Sequence, residues 1–154
     1  RLELQRLERD CFGGDTKALF EWIRRAADPN STTCVDVAKE PNGMLVGYVA
    51  WSCQEGKGST SYISILSIAV MQQWRGQRIG EQLLKRVAAV SSCRFPKVDR
   101  IRLQVRDDNW PALCLYHRFG FRKIAVLLGF YNDSDAVELM CELSNGLEKY
   151  SVDP

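Results

Sequence analysis

The spacing of apolar residues along the chain predicts two helices at its start. Over residues 2–27 these side chains recur at intervals of three and four, the period of one helix face. Gly13 and Gly14 interrupt the pattern, and a glycine pair is typical of a turn. Asp15 or Thr16 then caps the second helix, because both side chains accept hydrogen bonds from first-turn N–H groups.

The middle of the chain alternates apolar and polar positions, as strands do. Two such runs, at residues 33–38 and 44–52, flank the turn sequence EPNG and predict an antiparallel hairpin. Residues 62–70 predict a longer strand with a break in register near Leu66. A helix is expected at residues 80–91, where leucine and valine form one apolar face.

The last third of the chain predicts one more crossover and a second hairpin. A strand at 101–105 precedes a helix at 110–119, and strands at 121–127 and 136–143 flank the turn-rich sequence GFYNDSD. Hairpins and helical crossovers therefore occur together. The expected fold class is α/β (α+β), with a central mixed sheet flanked by helices, as a single domain over residues 1–154.

Composition narrows the class of protein to a soluble globular one. The net charge of +2 comes from 21 basic and 19 acidic residues, a balance that does not favour nucleic acid or an anionic membrane as a partner. The apolar runs are shorter than the roughly 20 residues that a bilayer requires. We expect a cytoplasmic monomer or weak homodimer, with an upstream targeting segment left open because the chain begins at Arg1.

Six cysteines stand singly along the chain, without the close pairs typical of zinc sites. A domain of this size does not need disulfides for stability. We therefore expect no metal, and free cysteines buried as small hydrophobic residues in a reducing compartment. They are Cys11, Cys34, Cys53, Cys93, Cys114 and Cys141.

Two glycines and two arginines occupy the corner between the third predicted strand and the helix after it. A helix start offers unpaired N–H groups and the positive end of the helix dipole, and both attract phosphate. Gly76 and Gly80 allow close approach of an anion, and Arg75 and Arg78 add charge. The sequence predicts a diphosphate site, and an ordinary turn with solvated arginines is the alternative.

A second segment, LQVRDDNWPALCLYHRFGF at residues 103–121, carries a further motif that bears on the interpretation of this corner. Together the two segments resemble the GCN5-related N-acetyltransferase superfamily, whose acetyl-CoA site uses Q/R-x-x-G-x-G/A and a later N-x-x-A-x-x-L-Y-x-x-x-G-F helix. The first pattern is matched at Arg75 and Gly80, with Arg78 in place of its central glycine. The second pattern is matched throughout, by Asn109, Ala112, Leu115, Tyr116, Gly120 and Phe121.

The resemblance implies an enzyme that transfers an acetyl group from acetyl-CoA directly to a primary amine. It implies that a backbone N–H near Val70 polarises the thioester, that Asn109 binds the pantetheine arm, and that Tyr116 donates a proton to the leaving thiolate. A helix cap is the alternative for Asn109, and a core position for Tyr116. The expected coenzyme-binding residues are Ile68, Ala69, Val70, Arg75, Gly76, Gln77, Arg78, Ile79, Gly80, Glu81, Asn109 and Tyr116.

The proton acceptor is harder to assign. In protein N-terminal acetyltransferases of this superfamily a base is common on the strand before the Asn helix, where this chain has Gln104, and an amide accepts no proton at neutral pH. His117 points about 100° away from Tyr116 around the helix and is expected at the surface. The open candidates are Ser64, Tyr131, Asp135 and Glu138.

The segments LERDCF, YISILSIAV and GFYNDSDAVELMCEL resemble the branch that acetylates protein N-termini, including ribosomal proteins. The resemblance implies acceptor contacts at Ser64, Gln104, Phe130 and Tyr131. At pH 7 the neutral form costs ~1.4 kcal/mol for an α-amine and ~4.6 kcal/mol for lysine, so a weak base suits an α-amine better. The alternatives are a small amine (polyamine, amino sugar or drug) and a non-catalytic acetyl-CoA-binding module.

Overall fold

The computed structural model describes residues 2–12 and 17–143, which form helices and strands in the predicted order. The helices are α1 (Leu2–Phe12), α2 (Lys17–Ala26), α3 (Ile79–Arg94) and α4 (Trp110–Phe119). The strands are β1 (Thr33–Lys39), β2 (Leu45–Glu55), β3 (Ser61–Val70), β4 (Arg100–Arg106), β5 (Arg122–Tyr131) and β6 (Ser134–Glu142). The predicted turn at Gly13 and Gly14 and the cap at Asp15 or Thr16 lie outside the described residues.

The strands form one six-stranded mixed sheet in the order β1-β2-β3-β4-β6-β5. Strand β1 pairs antiparallel with β2, and β6 lies antiparallel between β4 and β5. Strands β3 and β4 pair in parallel and need a crossover, which α3 provides. The predicted fold class is therefore confirmed.

The sequence GFYNDSD was predicted as a turn, and this prediction is wrong for most of its length. Strand β5 continues through Phe130 and Tyr131, so that only Asn132 and Asp133 connect it to β6. The pairing of β5 with β6 shifts register between Leu127 and Tyr131. This irregularity lets the strand carry turn-forming residues without ending.

Contacts divide the chain into two compact units. The first unit comprises Arg1–Cys53 and Leu66–Val87, and its apolar core brings together Leu7, Leu19 and Tyr48. The second unit comprises Gln54–Ile65 and Ala88–Pro154, and its buried residues include the inward side chains of β4. The single domain over residues 1–154 stays a prediction.

The six cysteines are thiols rather than disulfides, and not all of them are buried. Cys141 is buried, whereas Cys93 on α3 and Cys114 on α4 are exposed. The prediction of buried cysteines is wrong for these two, because their helices turn them towards solvent. Across residues 2–12 and 17–143, no helix combines the length and the apolar character needed to cross a membrane.

Candidate active site

The corner predicted to bind phosphate lies between the end of β3 and the start of α3, within the first unit. Its backbone takes left-handed conformations at Gly76 (φ 79°) and at Arg78 (φ 62°), the only described non-glycine residue with positive φ. A non-glycine residue pays about 1–2 kcal/mol for this conformation. Arg78 therefore adopts, at a cost, a conformation that glycine would adopt freely.

The two arginines of this corner have different surroundings. Arg75 folds back over the end of β3, where its Nε donates a hydrogen bond to the carbonyl oxygen of Val70 at 3.0 Å. The Arg78 side chain is exposed and makes no hydrogen bond or ion pair within the part of the chain that the structure describes. Arg78 is therefore the cation that is available to an anion.

Helix α1 also contacts the end of β3. The Cys11 thiol donates to the Val70 carbonyl oxygen at 3.4 Å, and the Asp10 carboxylate accepts the Gln72 N–H at 3.3 Å. Sequence reasoning missed both residues, because they lie about 60 positions from the strand end they contact. The described end of β3 is thus fixed by three side chains, with Arg75 as the third.

The donor chemistry of this corner fits a diphosphate. The free N–H groups at the start of α3 and the unpaired Arg78 cation are the groups that phosphate oxygens bind. The indole N–H of the neighbouring Trp74 is buried and has no hydrogen-bond partner among the described residues. Glu81, which faces Lys85 at 3.8 Å, is the acidic residue of the first turn of α3.

Helix α4, in the second unit, begins and ends as its sequence predicts. The Asn109 Oδ1 accepts the Ala112 N–H at 3.3 Å, so the cap considered for this residue is present. The Asn109 amide nitrogen makes no hydrogen bond among the described residues, which leaves a donor for a ligand carbonyl. Gly120 (φ 113°) closes the helix in the left-handed conformation.

Tyr116 is buried in the second unit, with 5% of its surface exposed. Its ring packs edge-on against Phe121 at 5.6 Å between centroids. Burial raises the pKa of the Tyr116 phenol, and the nearby Tyr131 adds to this effect. The hydroxyl makes no hydrogen bond among the described residues, so a protonated donor is available there. His117 is exposed, as predicted.

Three of the predicted acceptor-side residues share one face of the sheet in the second unit. Ser64 on β3 pairs with Arg102 on β4, and Gln104 pairs with Glu138 on β6. Paired residues, and residues two apart on one strand, point to the same face. Arg102 Nη1 lies 3.9 Å from Glu138 Oε1, and its guanidinium covers the Tyr62 ring at 4.7 Å.

The end of β5 carries the two predicted aromatic contacts. The Phe130 and Tyr131 rings meet edge to face at 5.1 Å, and 54% of the Phe130 surface is exposed. Asp135, an open candidate for the base, accepts the Gly129 N–H at 2.7 Å and so supports the strand irregularity. No group of three potential metal ligands occurs within residues 2–12 and 17–143.

Known proteins resemble this chain over most of its length. An N-alpha-acetyltransferase of Saccharolobus solfataricus is 31% identical over 102 residues, which are 64% of this chain and 60% of that protein. The N-terminal acetyltransferase B complex catalytic subunit NAA20 of Arabidopsis thaliana is 27% identical over 119 residues, 77% of this chain and 67% of that protein. The aligned region thus spans about three fifths to two thirds of these relatives.

Solved structures share the fold. A crystal structure of Arabidopsis thaliana NAA60 in complex with a bisubstrate analogue has a TM-score of 0.75 at 24% identity, over 92% of this chain and 91% of that one. The ribosomal-protein-S18-alanine N-acetyltransferase of Escherichia coli has a TM-score of 0.70 at 19% identity, over 92% and 86%. The profile of the acetyltransferase (GNAT) family matches residues 1–121, and the chain belongs to this family.

Proposed function

We propose that this chain is an acetyl-CoA-dependent N-acetyltransferase whose acceptor is the α-amine at the N-terminus of a protein or peptide. The observation that carries the proposal is Tyr116, a buried and protonated phenol without a hydrogen-bond partner among the described residues. An unpaired donor of this kind suits a reaction that ends with a thiolate in need of a proton. Family membership and the named activities of the relatives support the same reaction.

On the donor side, the backbone N–H groups of residues 76–81 and the Arg78 guanidinium would hold the coenzyme diphosphate, since the Arg75 N–H already donates to the Gln72 carbonyl oxygen at 3.2 Å. Residues 68–70 would pair with the pantetheine arm, and the free Asn109 amide would donate to one of its carbonyl groups. The Val70 N–H would polarise the acetyl carbonyl, and this role explains why three side chains fix the end of β3. These assignments give Arg75 a structural task rather than a direct phosphate contact.

Acetyl-CoA supplies a thioester carbon that a neutral amine attacks, forming a C–N bond as the C–S bond breaks. Tyr116 gives its proton to the departing sulfur. Glu138 takes the proton that the amine must lose, directly or through water, because the amide of Gln104 cannot do so. Glu138 suits this role because it lies directly across from Gln104 on the same face as Ser64.

The preference for an α-amine follows from the weakness of this base. An α-amine needs only ~1.4 kcal/mol to lose its proton at pH 7, against ~4.6 kcal/mol for a lysine side chain. The exposed Phe130 and the adjacent Tyr131 offer an aromatic surface for the first residue of a peptide. The balanced charge of the chain gives no reason to expect a nucleic-acid partner, and we expect a monomer or weak homodimer.

The test is the release of free thiol from acetyl-CoA in the presence of different amines. Peptides with free N-termini, the same peptides with blocked N-termini and an internal lysine, and spermidine should be compared at equal concentration. The proposal expects turnover with free N-termini and little with the other two. Turnover with spermidine alone would indicate a small-amine enzyme, and coenzyme binding without any turnover would indicate a binding module.

A further inference from the structure

We infer that Arg106 is a positioning residue that fixes the aromatic end of β5 for the acceptor, an inference that rests on the proposed function. Arg106 is the last residue of β4. Its side chain contacts the start of the loop before α4 and the turn between β5 and β6. One guanidinium therefore connects three pieces of chain, all of them in the second unit.

Arg106 makes bidentate hydrogen bonds with two carboxylates, those of Asp133 and Asp108. Nη1 and Nη2 donate to the two carboxylate oxygens of Asp133 at 2.8 and 3.1 Å. Nε and Nη2 donate to those of Asp108 at 3.1 and 3.4 Å. Such paired bonds define an orientation as well as a distance, and lysine cannot reproduce them.

The same guanidinium supports the aromatic pair. The Arg106 Cζ lies 5.5 Å from the centre of the Tyr131 ring, within the range of a cation–π contact. Tyr131 in turn packs edge to face against Phe130. Because Asp133 immediately follows the turn residue Asn132, Arg106 holds the β5–β6 turn and the Tyr131 ring at once.

The position of Tyr131 also concerns the proposed acid. Tyr131 contributes to the raised pKa of Tyr116, so the two phenols are close enough to interact. A displaced Tyr131 would therefore alter both the acceptor surface and the surroundings of Tyr116. The structure links Arg106 to the chemistry through this one ring.

The ion pairs of Arg106 with Asp108 and Asp133, called here the Arg106 network, contribute little to global stability. The side chains of Asp133 and Asp108 are 71% and 62% exposed, and ion pairs between exposed groups contribute little to unfolding free energy. What the network does fix is local geometry, at a turn of two residues. The consequence of its loss should therefore appear in acceptor binding rather than in the melting temperature.

The experiment compares Arg106→Met, Arg106→Lys and Asp133→Asn with a matched control, Arg122→Met. Arg122 at the start of β5 forms an ion pair with Glu142 at the end of β6, at 3.5 Å. This pair lies at the end of the hairpin opposite the β5–β6 turn. We expect Arg106→Met to raise the peptide KM about fivefold, with the KM for acetyl-CoA unchanged and the Tm shifted little. Arg106→Lys should still show more than half of this rise in peptide KM. Arg122→Met should have the peptide KM of the unaltered protein.

A double-mutant cycle that combines Arg106→Met with Asp133→Asn tests whether Arg106 and Asp133 act together. The double variant should raise the peptide KM no more than Arg106→Met alone, because both changes break the same contact. An equal rise in both KM values, or unaltered peptide kinetics in Arg106→Met, would overturn the inference.

Amide exchange at residues 128–136 separates this inference from the proposed function. Arg106→Met should exchange faster there than Arg122→Met does, whatever amine the protein acetylates. Equal exchange in the two variants would overturn the role of Arg106 even with the proposed activity intact. Failure of every amine to react, with the faster exchange still present, would count against the proposed activity alone.

Discussion

Glu138 on β6 lies directly across from Gln104 on β4, and their side chains share one face of the sheet. Neighbouring strands are about 5 Å apart, so a carboxylate stands one strand away from an amide that cannot accept a proton. The Glu138 carboxylate also has a cationic neighbour, because its Oε1 lies 3.9 Å from Arg102 Nη1.

Glu138→Gln should lower kcat with a free N-terminal peptide about tenfold at pH 7. The deficit should shrink above pH 8, because the α-amine then loses its proton without help. The measurement is a kcat profile from pH 6.5 to 9 beside Glu142→Gln, which alters an exposed carboxylate of the same strand. A constant deficit across this range would argue against proton acceptance by Glu138.

Tyr116→Phe should lower kcat about 100-fold while leaving the affinity for acetyl-CoA within about twofold. The reason is that the proposed mechanism uses the phenol proton when the thiolate departs, whereas the phenylalanine ring would still fill the same buried space. Calorimetry with the coenzyme and single-turnover kinetics measure the two quantities separately. Loss of both acetyl-CoA binding and turnover would mean that the Tyr116 side chain has a structural role.

The same substitution should change the stability of the protein at alkaline pH. Because burial raises the pKa of Tyr116 in the folded state, the unfolded chain releases this proton first as the pH rises above about 10. Folding stability should therefore be complete below pH 10 and decline above it. Urea unfolding at pH 8 and pH 10.5 should show a smaller decline for Tyr116→Phe, and an equal decline would mean that the buried phenol is not its cause.

Arg78→Gly should change stability and coenzyme binding in opposite directions. Removing the left-handed arginine relieves a backbone cost of about 1–2 kcal/mol, partly offset by the greater freedom of glycine in the unfolded chain. Removing the unpaired cation should weaken acetyl-CoA binding about fivefold and reduce its dependence on salt. Urea unfolding and calorimetry at two salt concentrations provide the measurements.

Gly76→Ala serves as the matched control for this pair of effects. Gly76 has the same left-handed backbone but no charge to lose, and its side-chain direction is open. The Gly76→Ala variant should therefore be about 1 kcal/mol less stable than the unaltered protein. An Arg78→Gly variant that binds acetyl-CoA as well as the unaltered protein would remove Arg78 from the phosphate site.

Gly47→Ala should destabilise the first unit, because the new methyl group would lie 2.8 Å from the Ala69 carbonyl oxygen. Backbone cannot give way as a flexible side chain does, so β2 and β3 must separate locally, at a cost of about 1–3 kcal/mol. Since Ala69 belongs to the proposed pantetheine edge, the KM for acetyl-CoA should rise as well. Thermal unfolding and donor kinetics on one preparation test both expectations.

The sequence predicted best those features whose causes lie close together in the chain. Helix α4 has the predicted bounds, because Asn109 caps one end and Gly120 closes the other. The corner before α3 was located by its glycines and arginines. In each case a few neighbouring residues determine the backbone, so their order alone is informative.

The features that were missed depend on partners far away in sequence. Pairing of Gln104 with Glu138 is a matter of strand register, and the contacts of Arg106 with Asp133 depend on where a hairpin turns. Neither of these relations leaves a local pattern that a single sequence reveals.

The hydrogen bond from the Cys11 thiol to the Val70 carbonyl changes how inhibition by alkylating reagents should be understood. A bulky adduct on Cys11 would displace the terminal residues of β3, and the N–H proposed to polarise the thioester would move with them. Inactivation that follows alkylation of Cys11, and not of the exposed Cys93 or Cys114, would therefore report displacement of the proposed oxyanion contact rather than a covalent acetyl-cysteine step in turnover.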